Sequence, residues 1–140
     1  MMKRGMQWAL VAALCALVAG CATTGGGASR EAQIQQTVEV WRTGLLEKDI
    51  EKFMSAYSPN FSNSQTSDLA QVKDFFQQAF DQGYVDNAEI TYVMTDGKFE
   101  EDVFTLYPIN VEGPTGTAAV ELTLKQEDGK WLITSLEIDA

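Results

Sequence analysis

The sequence has 140 residues, of which 45% are hydrophobic and 21% are charged, a composition typical of one globular domain. It carries 20 acidic and 10 basic side chains and no histidine, for a formal net charge of −10. This balance argues against a nucleic-acid partner, which needs clustered lysine and arginine, and the missing histidine excludes zinc sites with histidine ligands and histidine-dependent catalysis.

The first 20 residues have the pattern of a signal peptide. Lys3 and Arg4 precede an apolar run over residues 8–18 that is too short for a permanent membrane helix. The run ends in L-V-A-G-C, with the cysteine at position 21, which resembles the lipobox of bacterial lipoproteins. The resemblance implies that residues 1–20 are removed and that Cys21 is lipidated. The alternative is an ordinary cleaved signal with an incidental cysteine.

Lipidation predicts attachment to the bacterial cell envelope. Cys15 leaves with the signal, so the mature chain has one cysteine and no internal disulfide. Its side-chain charge becomes −12, because −10 loses two positive charges. Bacterial lipoproteins carry more than one acyl chain, which holds them stably on a membrane. Ala22 in place of an aspartate favours the outer membrane, with the domain facing the periplasm. Residues 21–29 are expected to be the lipidated cysteine and a small-residue tether.

Three amphipathic helices are predicted from residue 30 onwards, because apolar residues recur every three or four positions. Ser29, Asp49 and Ser67 or Asp68 are their candidate N-caps, and Gly83 is expected to stop the third helix. The three apolar stripes consist of Ile34, Val38, Trp41 and Leu45; of Ile50, Phe53, Met54 and Tyr57; and of Leu69, Val72, Phe76, Ala79 and Phe80.

After Tyr84 the apolar period becomes two, which predicts four longish antiparallel strands. The first contains Ile90, Tyr92 and Met94, and a turn at Asp96-Gly97 leads into the second. The remaining alternating positions are Val103, Thr105, Tyr107, Ile109 and Val111, then Val120, Leu122 and Leu124. Asp128-Gly129 supplies the short loop of the final hairpin. In the last strand, Leu132, Leu136 and Ile138 are expected on one face, and Trp131 and Ile133 on the other.

The order of these elements predicts an α+β fold over residues 30–140, with three N-terminal helices packed on one face of a strongly curved antiparallel sheet. Two stretches carry a family resemblance: W-R-T-G-L-L-E-K-D-I-E-K-F-M-S-A-Y-S-P-N-F at 41–61 and D-G-K-W-L-I-T-S-L-E-I at 128–138. They resemble nuclear-transport-factor-2-like domains, which include ketosteroid-isomerase-like and SnoaL-like proteins. The resemblance implies a cystatin-like cone whose helices and sheet enclose a pocket.

Aromatic residues are the candidates for lining such a pocket. They are Trp41, Tyr57, Phe61, Phe76, Phe80, Tyr92, Phe104, Tyr107 and Trp131. The alternative is that they fill an ordinary core, since a ligand pocket and a core share one composition. Trp41 and Trp131 are expected to be largely buried. Neither a cofactor nor a metal is expected, because the acidic run at 100–102 lacks the alternating spacing of a calcium loop.

Three function classes remain open. The first is a non-catalytic lipoprotein that binds a small apolar ligand or an envelope protein. The second is a proton-transfer enzyme, as the family resemblance allows, but Glu89, Asp102 and Glu121 are expected to face water rather than to act as a buried base. The third is a structural homodimer that pairs through the sheet. The sequence favours the first class, with the membrane engaged through the N-terminal lipid.

Overall fold

The computed structural model describes residues 29–139. The predicted signal peptide, the predicted lipidation site at Cys21 and most of the predicted tether lie outside these residues. The helices are α1 (Arg30–Glu47), α2 (Ile50–Met54) and α3 (Leu69–Asp81). The strands are β1 (Glu89–Thr91), β2 (Lys98–Glu100), β3 (Val103–Gly113), β4 (Gly116–Glu127) and β5 (Lys130–Asp139). The α+β order predicted from the sequence is confirmed.

Short polar side chains begin each of the three helices in the described part of the chain. The Ser29 hydroxyl accepts a hydrogen bond from the Ala32 amide at 3.1 Å, and an Asp49 carboxylate oxygen accepts one from the Lys52 amide at 3.2 Å. Asp68 does the same for Ala70 at 2.9 Å. These bonds satisfy amides that have no partner within the helix, and the predicted caps are therefore confirmed.

One helix contact depends on a glycine. A Cβ atom at Gly44 of α1 would lie 2.6 Å from the Phe53 backbone nitrogen of α2. Any larger side chain would push the two helices apart. Gly44 therefore lets α2 lie close against α1, with Phe53 turned into the core.

The sheet is antiparallel and curved, with the order β1-β3-β4-β5, and β2 pairs with β3 as well. The outer edge of β5 is not free. The Ser58 amide donates to the Ile133 carbonyl at 2.8 Å, the Ile133 amide to Ala56 at 2.9 Å, and the Ser62 amide to Thr134 at 3.0 Å. The segment after α2 thus covers an edge that could otherwise pair with another chain.

The prediction of four longish strands is wrong at the start of the sheet. The predicted first strand reaches only from Glu89 to Thr91, as β1. Met94, which was predicted to lie in it, begins a 3-10 turn, Met94–Asp96. A further strand, β2, then pairs with β3 through a hairpin at Glu101, whose φ is 57°. Gly97 approaches the Phe104 ring so closely that a Cβ would lie 2.0 Å from it. This glycine serves close packing rather than the hairpin turn.

A register shift corrects the predicted faces of β5. Leu124 pairs with Ile133, but Thr123 pairs with Ser135, so Thr134 is an extra residue in β5. A bulge of one residue reverses the alternation on its far side. Trp131 and Ile133 therefore share the core face with Leu136, and the expectation that Leu132 shares this face is wrong.

A second register shift, between β3 and β4, corrects the predicted faces of β3. Leu106 pairs with Leu122 and Ile109 with Val120, so β3 has one residue more than β4 between these pairs. The Tyr107-Pro108 peptide bond, which is cis, lies within the shift. Tyr107 is 42% exposed, and its predicted place on the inward face with Ile109 is wrong.

Helices and sheet enclose one hydrophobic core, which extends in sequence from Ile34 to Leu136. Trp41 and Trp131 are 1% and 4% exposed, so their predicted burial is confirmed. The β4–β5 loop is confirmed as well, since Asp128 and Gly129 have φ of 52° and 79° and form a two-residue hairpin turn. No described helix has the length and apolar character required to cross a membrane.

Candidate functional site

Most of the aromatic residues predicted to line a pocket instead fill the core. Phe53 stands at their centre, with its ring centroid 5.9 Å from that of Trp41, 5.3 Å from Tyr57 and 4.6 Å from Phe76. The buried members of the predicted set are Trp41, Tyr57, Phe61, Phe76, Phe80, Phe104 and Trp131. Phe53, on the short helix α2, therefore fills the centre of this aromatic cluster.

The Tyr57 hydroxyl is buried and hydrogen-bonded inside the core. It accepts a hydrogen bond from the Trp41 indole nitrogen at 3.1 Å. Burial raises the pKa of Tyr57 well above its ordinary value of 10.0, and the weaker influence of the Trp41 bond lowers it. The hydroxyl therefore stays protonated and is bonded inside the core.

Tyr92 and Tyr107 are not fully buried, although Tyr92 packs against the edge of the core. Tyr92 is half-buried beside α1, where burial first and the negative charge of Glu39 second raise its pKa. Tyr107 is on the surface, with its hydroxyl 3.3 Å from an Asp139 carboxylate oxygen, whose charge raises the pKa of the phenol. Of the two, only Tyr92 is a partly buried residue packed against the core that holds the seven buried aromatic residues.

The acidic residues suspected of a catalytic role are also dispersed. Glu89 and Asp102 are exposed and Glu121 is half-buried. The strand register places Glu121 directly opposite Glu137 of β5. Among residues 29–139, no group of three or more cysteine or acidic side chains is arranged to hold a metal ion.

A cavity of about 280 Å³ opens where α3, the loop before it and the end of β5 meet. Phe75 and Ile138 stand at its mouth and are 57% and 44% exposed. The residues that line it are Phe61, Asn63, Gln65, Thr66, Gln71, Val72, Phe75, Phe76, Leu136, Glu137 and Ile138. Of the predicted pocket residues, only Phe61 and Phe76 belong to this set.

Hydrogen bonds hold the polar wall of the cavity in place. The Asn63 side-chain oxygen accepts from the Gln65 amide at 2.9 Å and the Thr66 amide at 2.8 Å. Its side-chain nitrogen donates to the Leu136 carbonyl at 2.8 Å. The Thr66 hydroxyl donates to the Gln71 side-chain oxygen at 2.6 Å. Asn63 thus ties the loop to β5, and Thr66 ties it to α3.

Glu137 completes this wall. One of its carboxylate oxygens accepts from the Ser64 amide at 2.8 Å, and the other accepts from the Ser64 hydroxyl at 2.7 Å. Among the described residues that line the cavity, Glu137 is the only charged one. The cavity therefore combines an aromatic and aliphatic lining with a polar wall that carries one carboxylate.

Most residues of this site were not predicted from the sequence, although one of them carries a recognisable signal. Phe75 sits at the margin of the predicted stripe of α3 and turns outward. A large apolar residue that does not fit the buried stripe of its helix is a candidate for a surface contact. Asn63 and Glu137 gave no such signal, because the bond from Asn63 to Leu136 and those from Ser64 to Glu137 join residues that are distant in sequence.

No protein-family model matches the sequence, and no curated protein matches it either. Solved structures do resemble it. A protein of unknown function with a cystatin-like fold from Nostoc punctiforme has a TM-score of 0.59 at 13% identity, over 76% of this chain and 86% of that one. A nuclear-transport-factor-2-like protein of unknown function from Shewanella oneidensis has a TM-score of 0.61 at 12% identity, over 77% and 97%.

A third similar structure is larger than this chain. It is Bd1075 of Bdellovibrio bacteriovorus, with a TM-score of 0.61 at 14% identity, covering 75% of this chain but only 38% of that one. At such identities the likenesses establish the fold alone. The chain has a nuclear-transport-factor-2-like, cystatin-like fold, as the sequence resemblance implied.

Proposed function

We propose that this protein is a lipid-anchored component of the bacterial envelope whose domain binds a small, largely apolar ligand without catalysing a reaction. The observation that carries the binding proposal is the cavity of about 280 Å³ with Phe75 and Ile138 exposed at its mouth. Exposed large apolar side chains around a concavity mark binding sites more often than isolated ones do. The binding site of this proposal is thus the cavity beside α3, not the filled centre of the cone.

The dimensions and lining of the cavity suit a small molecule. Its volume of about 280 Å³ is just below the range of roughly 300–1,000 Å³ that is usual for ligand pockets, which suits a small ligand. Phe61, Phe76 and Leu136 form an apolar floor, and Asn63 and Gln71 belong to the polar side. This mixture of an apolar floor with a few polar groups is typical of ligand sites.

The lining also supports binding rather than proton transfer. An isomerase of the type considered above would bring a carboxylic base and a tyrosine hydroxyl to one substrate. None of the described residues that line the cavity is a tyrosine, and the Tyr57 hydroxyl is bonded to Trp41 inside the core. Glu137 thus has no tyrosine beside it in the cavity.

Membrane attachment rests on the sequence motif at residues 17–21, with Ala22 favouring the outer membrane. Cys21→Ser removes the thiol that would receive the lipid, and we expect the variant to be lost from the membrane fraction. Cys15→Ser, a matched change inside the signal segment, is expected to stay there. Equal membrane recovery of the Cys21 variant and the parent would contradict the anchor.

Ligand binding is tested by native mass spectrometry of the protein purified from its own host. We expect a small molecule bound to each chain, and we expect Phe75→Ala to lose it. Tyr84→Ala is the matched control, because Tyr84 is 50% exposed but does not line the cavity. A protein without bound ligand, or a ligand that Phe75→Ala retains as well as the parent does, would contradict the proposal.

A further inference from the structure

The charge of the cavity indicates which class of ligand it accepts. Glu137 is the sole charged group among its described lining residues, and the lining includes no lysine or arginine. We propose that the cavity selects ligands that carry an amine cation on a compact apolar body. This inference rests on the proposed function, because it assigns a ligand class to the same cavity.

Glu137 retains the capacity to bind a donor. Each of its carboxylate oxygens accepts one hydrogen bond from Ser64, from the amide to one oxygen and from the hydroxyl to the other. A carboxylate has about four lone-pair sites, so about two remain for a ligand. The bonds from Ser64 also hold the carboxylate in one orientation, which lowers the entropy cost of pairing it with a cation.

The other polar groups of the wall are less able to bind a ligand cation. The Asn63 side-chain oxygen already accepts two hydrogen bonds, and the Gln71 side-chain oxygen accepts one from Thr66. Both are neutral, and a hydrogen bond to a charged acceptor is roughly twice as strong as one between neutral groups. Glu137 is therefore the strongest acceptor that the cavity offers to a protonated amine.

The surroundings reinforce the negative charge. Lys73, which follows the lining residue Val72 in α3, extends to Glu51 at 3.4 Å instead. Glu121 lies opposite Glu137 in the sheet, and Asp139 is two residues further along β5. A carboxylate ligand would meet these like charges, whereas an ammonium ligand would be attracted by them.

The aromatic walls suit the same ligand. Phe61, Phe75 and Phe76 line the cavity, and the rings of Phe75 and Phe76 meet edge to face with centroids 5.1 Å apart. The negative face of an aromatic ring attracts an ammonium ion, and its apolar surface covers the ligand body. One set of side chains can therefore contact both parts of the molecule.

Three probes share the same phenylpropyl group and differ in charge: phenylpropylamine, phenylpropanol and phenylpropanoate. Comparing them separates the effect of charge from that of shape. Their binding is measured by isothermal titration calorimetry on the full chain in zwitterionic lipid nanodiscs, with empty nanodiscs as the blank. We expect the ammonium probe to bind about tenfold more tightly than the alcohol, and the carboxylate probe to bind most weakly. This ranking needs no variant, so it holds as a test even if a variant folds poorly.

Glu137→Gln is expected to bring the ammonium and alcohol probes to similar affinities. Glu100→Gln is the matched control, because it makes the same charge change on β2, in an exposed residue that does not line the cavity. If all three probes bind equally and Phe75→Ala abolishes binding, the charge selectivity is overturned and the proposed function stands. If no probe binds the parent, both are overturned.

Discussion

This domain has two regions built from aromatic side chains, one of which is closely packed while the other lines an open cavity. Around Phe53 the rings are in contact, with centroids between 4.6 and 6.1 Å apart, and the interior is filled. Around Phe75 the rings line a cavity of about 280 Å³. Phe76 belongs to both regions, since it contacts Phe53 and also lines the cavity.

The difference comes from what lies between helix and sheet in each place. In the core, the close approach of α2 at Gly44 brings Phe53 into the space below α1. At the cavity, the loop after Phe61 contains Asn63, which bonds to β5, and Thr66, which bonds to α3. These polar side chains bond to β5 and α3. They do not fill the cavity as an aromatic ring would. An aromatic composition therefore does not by itself indicate a pocket. Whether one forms depends on which element packs between the helices and the sheet.

The largest expected effect is that of Phe53→Ala. This change removes the ring at the centre of the core, where Phe53 is 0% exposed. Deletion of a buried phenylalanine ring costs about 3–5 kcal/mol, because the remaining cavity is only partly closed by relaxation. Urea unfolding of the parent and the variant measures the loss. A loss below about 1 kcal/mol would mean that the centre of the cone is not closely packed.

Tyr57→Phe is expected to cost less. It leaves the buried Trp41 indole nitrogen without its acceptor, and an unsatisfied buried donor costs about 1–3 kcal/mol. Phe61→Leu is a comparison from the same ring cluster, which keeps most of the volume and breaks no hydrogen bond. A Tyr57 variant as stable as the parent at neutral pH would show that the hydroxyl adds nothing.

The same variant changes the response to alkaline pH. The folded-state pKa of Tyr57 is raised above its ordinary value of 10.0, so the unfolded chain loses this proton first as pH rises. The stabilisation is fully present below about pH 10 and is lost above it, at about 1.4 kcal/mol per pH unit. We expect Tyr57→Phe to flatten the decline in unfolding free energy above pH 10. An unchanged slope would contradict the assignment.

Asn63→Ala tests the open region. It removes one hydrogen bond that ties the loop to β5 and two bonds within the loop, and we expect a loss of about 1–2 kcal/mol together with faster exchange of the Gln65 and Thr66 amides. Asn63→Asp keeps the acceptor and loses only the bond to Leu136, so its effect should be smaller. Equal exchange rates in the alanine variant and the parent would show that the loop is held by other contacts.

Phe75→Ala gives the smallest expected change in stability. Phe75 is 57% exposed, and surface substitutions usually stay within about 0.5 kcal/mol. Set beside Phe53→Ala, it compares the same deletion in the closed and the open region. A loss as large as that of Phe53 would mean that Phe75 stabilises the fold rather than forming the mouth of a site.

Much of the fold could be predicted because its causes are local. The caps at Asp49 and Asp68, the two-residue loop at Asp128-Gly129 and the apolar stripe of α1 depend on residues within a few positions of one another. Side chains three or four apart on a helix share a face whatever the rest of the chain does. The helical elements and the final hairpin therefore follow from patterns in the sequence itself.

The site could not be predicted in the same way. Phe61 and Phe76 were in the predicted aromatic set, yet nothing near them in sequence distinguishes them from Trp41 or Phe80, which fill the core. Glu137 was one of many strand carboxylates. Its position in a cavity depends on Ser64, 73 residues earlier in the chain.

By itself the sequence determined the class of the fold, the order and caps of the helices, the burial of Trp41 and Trp131, and the last hairpin. The tertiary structure decided which faces of the strands are inside and where the domain is open. An extra residue at Thr134 reverses the side-chain alternation of β5, and alternation alone cannot reveal a bulge. The cavity beside α3 is bounded by β5 and the Asn63 loop, and the hydrogen bond from Asn63 to Leu136, 73 residues apart, forms only when the chain is folded.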